Sequence, residues 1–334
     1  MNKQFFLYGF LTMILFMPAF SQDKELMTKH EGNLKSLFVK VFNEPTDNER
    51  YNANEQAVQL LVDALDNHKS FNWQWNSLRD MISILEPKDK KFKIFTWAIV
   101  RDNGEYECFG LMQVENEKTN EYDVVMLVDK ANSIMNPEEA TLSSNSWYGV
   151  VYYDLITSKY EDKTYYTLLG WTGNSPVFQR KVIEVISFKS FSTDPVFGQK
   201  IFYRMQQRKN VDKDKRRIIF EYSKNANLTL EYGKQNYVES QKIRKSPKTP
   251  PKVVETNFKH DMIVFDELEP PIDGLSNLPQ YNVPSEGLNG YSFEKNRWVM
   301  KKDIFPRHSK NKTLDNPQQY RKTKPAYEVP RNYE

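Results

Sequence analysis

The residues best suited to chemistry are two acids that follow apolar strand-like runs. Asp154 comes directly after the run 150–153, and Asp266 comes directly after the run 262–265. A pair of carboxylates facing each other across a cleft is the working arrangement of most glycoside hydrolases. Because that arrangement is defined by distance in space, the sequence leaves a carboxylate-dependent hydrolase open. The other interpretation is that each acid caps a turn or faces water at a strand end.

A row of aromatic residues suggests binding instead of catalysis. Trp147, Tyr152, Tyr153 and Trp171 lie within residues 147–188, a segment predicted to form a three-stranded meander. Alternation along a strand sends Tyr152 and Tyr153 to opposite faces. An exposed row of Trp and Tyr rings stacks on sugars or binds partner proteins. The alternative is that both rows are buried, one inside the sheet and one under helices.

Motifs for the common catalytic and cofactor sites are absent from the sequence. It has no nucleophile elbow, zinc-protease motif, phosphate-binding loop or EF-hand loop. The single cysteine, Cys108, excludes an internal disulfide and a cysteine-rich metal centre, and we expect it to be a small buried hydrophobe. The four histidines are far apart in the sequence. We therefore predict no metal site and no cofactor.

Residues 1–21 have the pattern of a signal peptide. Lys3 provides the positive charge, residues 5–20 are mostly apolar, and Ala19 and Ser21 place small residues before a cleavage point between Ser21 and Gln22. The apolar run is short for a hydrocarbon core of roughly 30 Å, and no later segment is long and apolar enough to span one. The sequence thus predicts export to a periplasm or beyond, with no transmembrane segment after cleavage.

The mature chain divides into a helical unit, a β-rich region and a tail. Apolar residues three and four positions apart in segments 34–41 and 58–65 predict two helices that pack as a hairpin within residues 22–77. Asn52, with Glu55 three residues later, is the predicted cap of the second helix. Residues 304–334 are polar and contain four prolines, which predicts a disordered basic tail.

Between these units, residues 78–303 predict a large antiparallel β-domain. Short runs rich in Val, Ile, Tyr, Phe and Thr are separated by turn residues and leave little room for crossover helices. The predicted strands include 92–100, 106–114, 124–128, 147–156, 165–171, 181–188, 195–203, 217–222 and 262–265. The fold class is therefore α+β with about ten to twelve strands, and a barrel, a sandwich and a propeller-like arrangement all remain open.

Charge is unevenly distributed along the chain, although the total is only +3. Residues 200–252 contain 15 basic and 5 acidic side chains, residues 253–294 contain 1 and 8, and residues 295–334 contain 11 and 4. The segment 241–252, predicted as a loop, has five basic residues and no acid. This pattern fits either intramolecular complementarity or attraction to an anionic partner, such as an envelope protein, glycan or lipid surface. Nucleic acid is disfavoured by the predicted export and the absence of recognition motifs.

Several of the strand-like runs resemble those of a family of exported Gram-negative bacterial proteins. The similar stretches are 92–97, 147–153, 165–174, 181–188, 217–222, 262–266 with Leu268 and the Pro270-Pro271 pair, and 291–298. They occur in the same order and cover most of residues 78–303. The resemblance implies export but brings no assigned activity. Where that family often has an Asp, this chain has Asn289, before Gly290 and Tyr291, which weakens the case for a catalytic acid there.

Together these patterns favour an exported, non-catalytic binding or envelope-associated protein. The weak candidates for binding are Trp147, Tyr152, Tyr153 and Trp171. The alternative is a hydrolase of envelope or extracellular polymers that uses acids such as Asp154 and Asp266, provided that the fold brings carboxylates together.

Overall fold

The computed structural model describes residues 17–243, 252–272, 274–275, 277–302 and 304. It confirms the α+β class: two N-terminal helices precede a large, mostly antiparallel β-region. The segment 1–16, the strand connection 244–251 and nearly all of the tail lie outside the described residues. The predicted signal peptide and the predicted disorder of the tail therefore stay predictions.

The two helices form the predicted hairpin. Helix α1 is Met17–Asn43 and helix α2 is Asp47–Leu65. Thr46 caps α2: its hydroxyl accepts the Glu49 N–H, and the Glu49 carboxylate accepts the Thr46 N–H, which completes a capping box. The predicted cap at Asn52 is therefore wrong, because the cap of α2 lies six residues earlier.

A buried lysine fastens the segment that follows α2 to the first sheet. This segment contains a short 3-10 helix, Ser70–Asn72. The Lys93 ammonium donates hydrogen bonds to the Phe71 and Trp73 carbonyls and pairs with Glu86 at 3.0 Å. Burial lowers the pKa of Lys93, while the Glu86 carboxylate opposes that shift.

The strands form three open sheets and one small hairpin within the described residues. The helix-side sheet has the order β1-β2-β3-β4, with bounds Ser83–Leu85, Phe92–Val100, Tyr106–Asn116 and Glu121–Leu127. The central sheet has the order β12-β7-β6-β5, with β8 beside β7. Its bounds are Val151–Tyr160 for β5, Lys163–Thr172 for β6, Phe178–Phe188 for β7, Pro195–Phe197 for β8 and Arg217–Ser223 for β12.

The outer sheet has the order β13-β14-β15-β16-β9. Its strands are Leu230–Ile243 for β13, Lys252–Glu269 for β14, Val283–Glu294 for β15, Arg297–Lys301 for β16 and Phe202–Tyr203 for β9. Only the β16–β9 pair is parallel. Strands β10 (Met205–Gln206) and β11 (Lys209–Asn210) form the small hairpin. The described residues contain sixteen strands, more than the expected ten to twelve, because five short strands of two or three residues accompany eleven longer ones.

These elements stack as four layers with a hydrophobic core between each pair of neighbours. The helices cover one face of the helix-side sheet through residues such as Phe38 and Trp97. The other face of that sheet packs on the central sheet, and the central sheet packs in turn on the outer sheet. Since all three strand orders are open at both ends, stacked sheets, as in a sandwich, replace the alternatives that the sequence left open.

Candidate functional site

Part of the predicted aromatic row is enclosed between the helix-side and central sheets. Trp147 and Tyr152 have none of their surface exposed. The Trp147 indole N–H donates to the Tyr152 hydroxyl at 3.0 Å, and that hydroxyl donates to Glu184 at 2.5 Å. These two rings therefore do not form an exposed platform, because the helix-side sheet covers the face on which they lie.

Behind Tyr152 lies a buried ion pair that no sequence motif indicates. Glu184 and Arg217 stand directly opposite each other on β7 and β12, and both side chains are fully buried. The Arg217 Nε donates to Glu184 at 2.6 Å, while its terminal nitrogens donate to the carbonyls of Pro137, Ala140 and Phe197. Every charged group here has partners, so the arrangement is suited to holding strands of the central sheet and the 137–140 loop together.

The other two aromatic candidates, Tyr153 and Trp171, also pack against neighbouring residues of the protein. Tyr153 faces the outer sheet, and its hydroxyl donates to the Leu230 carbonyl at 2.8 Å. The second row is thus covered by a sheet, not by the helices as the alternative supposed. Trp171 is partly buried, with its indole N–H donating to Gln179 at 3.1 Å and its ring edge against Tyr106, 5.0 Å between centres.

The two acids lie on different sheets and each bonds to a backbone N–H. Asp154, at a β-bulge of β5, accepts the Leu155 N–H at 2.8 Å, and Asp266 on β14 accepts the Thr229 N–H at 2.7 Å. Burial raises the pKa of both carboxyls. Neither acid lines either of the two clefts described below. A hydrolase that uses Asp154 and Asp266 stays a prediction.

Near Asp266, a lysine on the central sheet bonds to the segment that leads into β13 of the outer sheet. The Lys181 ammonium donates to the Leu228 carbonyl at 2.6 Å and lies 5.6 Å from the centre of the Tyr153 ring. Burial lowers the pKa of Lys181 to about 8, opposed by the charges of Asp266 and Glu231. The side chain therefore serves as a bridge between two sheets.

A polar cleft of about 410 Å³ opens at the start of β3. Its charged lining residues are Arg101, Glu105, Glu107, Asp129 and Lys130. The Asp129 carboxylate accepts the Ala131 N–H at 2.9 Å and the Cys108 N–H at 3.3 Å. Burial is the main cause that raises the pKa of Asp129, and the nearby Glu107 charge adds to it.

The Asp129 carboxylate requires a glycine beside it. Gly149 has a φ of +67°, and a Cβ at that position would overlap the carboxylate. We expect Gly149→Ala to lower the free energy of unfolding by about 2 kcal/mol, because it combines left-handed backbone strain with a steric clash. Chemical denaturation measures this loss. Gly32→Ala is the matched control, since its Cβ would meet no neighbour within 4 Å and helix propensity favours Ala. Equal effects in the two variants would contradict the prediction.

An apolar groove of about 410 Å³ lies next to the polar cleft, between α2 and β4. Val58, Phe109 and Met126 are among its lining residues, and Met126 is 52% exposed. Glu55 and Gln59 stand on the exposed rim. The Tyr51 hydroxyl lines the groove and donates to Glu107, which lines the polar cleft. The two depressions therefore share a boundary.

The outer sheet extends into a two-stranded ribbon. Strand β14 pairs with β13 along its length, but its pairing with β15 begins only at Met262. Among the described strands, residues 252–261 therefore pair with β13 alone, which at 3.4 Å per residue makes a ribbon roughly 30 Å long. At its base Lys234, Lys259 and Asp261 are exposed. We call residues 234–243 with 252–261 the ribbon.

Comparison with known proteins adds no assignment. No family model, curated protein or solved structure matches this chain. The resemblance to an exported family therefore stays a prediction, and function has to be argued from the chain's own residues.

The described residues offer little for covalent or metal chemistry. Cys108 is buried beside Thr172, and burial, with the Asp129 charge, raises the pKa of its thiol well above the usual value, so the thiolate nucleophile is disfavoured. In the described part of the chain no three His, Cys, Asp or Glu side chains are grouped to hold a metal ion. Of the helices described, none has the length and apolar character needed to cross a bilayer.

Proposed function

We propose that this protein is an exported, non-catalytic binding protein of the cell envelope, and that the ribbon is its contact with an anionic surface. The observation that carries the proposal is the geometry of the ribbon, which extends past the third strand of its sheet. Two-stranded ribbons are marginally stable in water on their own. An element of this kind gains stability when a partner covers it.

The charge of the sequence at the far end of the ribbon supports an anionic partner. The ribbon ends at Ile243 and Lys252, and residues 241–252 contain five basic side chains and no acid. Phosphate and carboxylate groups of lipids or glycans attract such a cluster, by about 1 kcal/mol for each Lys or Arg near an anionic bilayer. Signal-peptide export would bring the protein to a compartment where these surfaces are present.

The proposal predicts binding of the mature protein, residues 22–334, to anionic vesicles. Replacing Lys242, Arg244, Lys245, Lys248 and Lys252 by Gln should weaken partitioning into phosphatidylglycerol–phosphatidylcholine vesicles by up to roughly 10³-fold. Co-sedimentation measures the loss, and added salt should reduce wild-type binding because surface charges are screened. Vesicles that contain lipopolysaccharide distinguish a glycolipid partner from a simple phospholipid surface.

A variant of identical net charge provides the control. It carries five Lys→Gln changes at exposed sites away from the ribbon, namely Lys29, Lys35, Lys40, Lys118 and Lys189. If the two fivefold variants bind vesicles equally well, the ribbon is not the contact. If the wild-type protein binds neither kind of vesicle, the proposal of an anionic envelope surface is wrong.

A further inference from the structure

The apolar groove and the polar cleft together form a surface with a definite chemistry. The groove offers Val58, Phe109 and Met126. The cleft beyond Tyr51 offers three carboxylates, those of Glu105, Glu107 and Asp129, against two cations, Arg101 and Lys130, so negative charge is in excess there. An occupant that fits both has an aromatic or aliphatic side chain next to positive charges. This surface lies on the helix-side sheet, apart from the ribbon on the outer sheet, so it is independent of the proposed function.

We infer that the chain's own C-terminal segment, residues 305–334, occupies this surface, with Tyr320 in the groove and the basic residues after it against the carboxylates. The sequence Tyr320-Arg321-Lys322-Thr323-Lys324 places three positive charges within four residues of an aromatic ring. Residues 305–334 contain seven basic and three acidic side chains. By contrast, residues 1–199 contain 20 basic and 27 acidic side chains, so the two parts of the chain attract each other.

The segment is long enough to reach the groove. Ile304, the last described residue, is buried against Met262 and Gly290 of the outer sheet. Three layers of about 10 Å separate that side of the molecule from the helical face of the helix-side sheet. The sixteen residues from Ile304 to Tyr320 extend to about 55 Å, which is sufficient for a path around the edge of the sheets. The entropy of closing this loop grows slowly with its length.

Surface exposure at the groove fits an occupant that covers it. Met126 lies on the helix-facing side of β4, as does Tyr122, whose ring stacks on Phe71 at 3.7 Å. Phe71 of the 3-10 segment covers Tyr122, and the helical hairpin packs on Val124, but Met126 is left 52% exposed. The helical hairpin thus leaves the last helix-facing side chain of β4, Met126, uncovered. A single inserted ring would complete that layer, and Tyr320 has the suitable size and neighbours.

Methionine methyl NMR tests this inference, because Met126 reports on the groove. The mature protein, residues 22–334, is compared with a version that ends at residue 306, which retains Ile304. We expect the Met126 methyl resonance to differ between the two proteins. Met135 and Met205, exposed at 87% and 51% and outside the groove, should keep their positions. Adding a synthetic peptide of residues 305–334 to the shortened protein should return Met126 to its full-length position.

Substitutions then separate the proposed contacts from general charge attraction. A peptide with Tyr320→Ser, and one with Arg321, Lys322 and Lys324 changed to Gln, should each bind at least tenfold more weakly. The control peptide, with Arg307, Lys310 and Lys312 changed to Gln, has the same loss of charge and should bind almost as well as the natural sequence. On the protein, Gln59→Lys at the groove rim should weaken binding, whereas Gln56→Lys, which is exposed on α2 outside the groove, should not.

Several outcomes would overturn the inference. An identical Met126 resonance in the full-length and shortened proteins would show that the tail does not occupy the groove. Equal losses for the two charge-neutralised peptides would show attraction without a defined site. A Met126 shift that depends on protein concentration would assign the occupant to a second copy of the chain.

Discussion

Arg217→Met should lower the free energy of unfolding by about 3–5 kcal/mol, the range for removing one partner of a buried ion pair. Glu184 would be left charged and fully buried, with only the Tyr152 hydroxyl donating to it among its present side-chain partners. The carbonyls of Pro137 and Ala140 would lose the Arg217 donors as well, whereas the Phe197 carbonyl would keep the Leu142 N–H. In a chain of this size, such a loss lowers the melting temperature by about 4–7 °C.

Chemical denaturation, with Lys215→Met as the control, checks this expectation. Lys215 is two residues away and pairs with Glu138, but both side chains are partly exposed, so this control should cost 1 kcal/mol or less. The double variant Glu184→Leu with Arg217→Met should be more stable than Arg217→Met alone, because it leaves no unpaired buried charge. If Arg217→Met lowers the free energy of unfolding no more than Lys215→Met does, Arg217 does not compensate a buried charge on Glu184.

The same ion pair shows how far local sequence patterns reach. Glu184 and Arg217 each stand beside apolar residues in predicted strands, which is a signal that a charge is buried. Which residue pairs with each charge depends on the register of β7 against β12. In that register Glu184 and Arg217 lie opposite each other, although 33 positions separate them in the sequence. That register is set by tertiary packing, and no local pattern contains it.

Local patterns located the strands within the stacked layers, with an offset of four residues at β5 and a split of the predicted strand 195–203, but they missed β13. Strand β2 has the predicted bounds of 92–100 because its residues are buried and strongly apolar. Strand β13 was not predicted, and its last three residues, 241–243, fell within a predicted loop. Much of this strand belongs to the ribbon, which extends past β15. Its sequence there contains Lys234, Gln235, Asn236, Glu239, Ser240 and Gln241 and lacks the hydrophobic alternation that predicts a half-buried strand.

The start of α2 illustrates a choice between two equivalent local signals. Thr46 with Glu49 and Asn52 with Glu55 both match the pattern of a capping box. The earlier start places Arg50 inside the helix, where its guanidinium donates to the Glu44 carbonyl and bonds to Asp47 and Asp102. Asp102 belongs to the turn between β2 and β3, so a long-range contact favours Thr46.

The stacking of three sheets explains why the aromatic candidates on both faces of the central sheet are covered. A strand in a two-layer fold has one face toward water, which is why alternation made an exposed row plausible. The central sheet has a sheet on each side, so Tyr152 and Tyr153 are both covered although they face opposite ways. The number of layers depends on how distant strands pack, and the order of strands along the chain does not specify it. The ribbon and the clefts at the edge of the helix-side sheet accordingly take the place of the aromatic rows as candidate binding surfaces.

Trp298→Ala should be the most damaging single change between the central and outer sheets, at about 3–5 kcal/mol. Trp298 on β16 is fully buried, its ring lies 5.2 Å from that of Phe293, and its indole N–H donates to the Thr167 hydroxyl at 2.9 Å. Thr167 is itself fully buried on β6. Phe191→Ala, at an aromatic residue that is 66% exposed, is the control and should change stability by no more than about 0.5 kcal/mol.

Trp298→Phe separates the hydrogen bond from the packing. It leaves the Thr167 hydroxyl buried without its donor, which costs about 1–3 kcal/mol, and adding Thr167→Val should recover part of that cost because both polar groups are then gone. Amide hydrogen exchange locates the damage: in Trp298→Ala we expect faster exchange in β14–β16 than in β2 and β3. Since the ribbon is the extension of β13 and β14, a loosened outer sheet should also weaken vesicle binding. Uniform acceleration of exchange in all three sheets would show instead that the layers unfold as one unit.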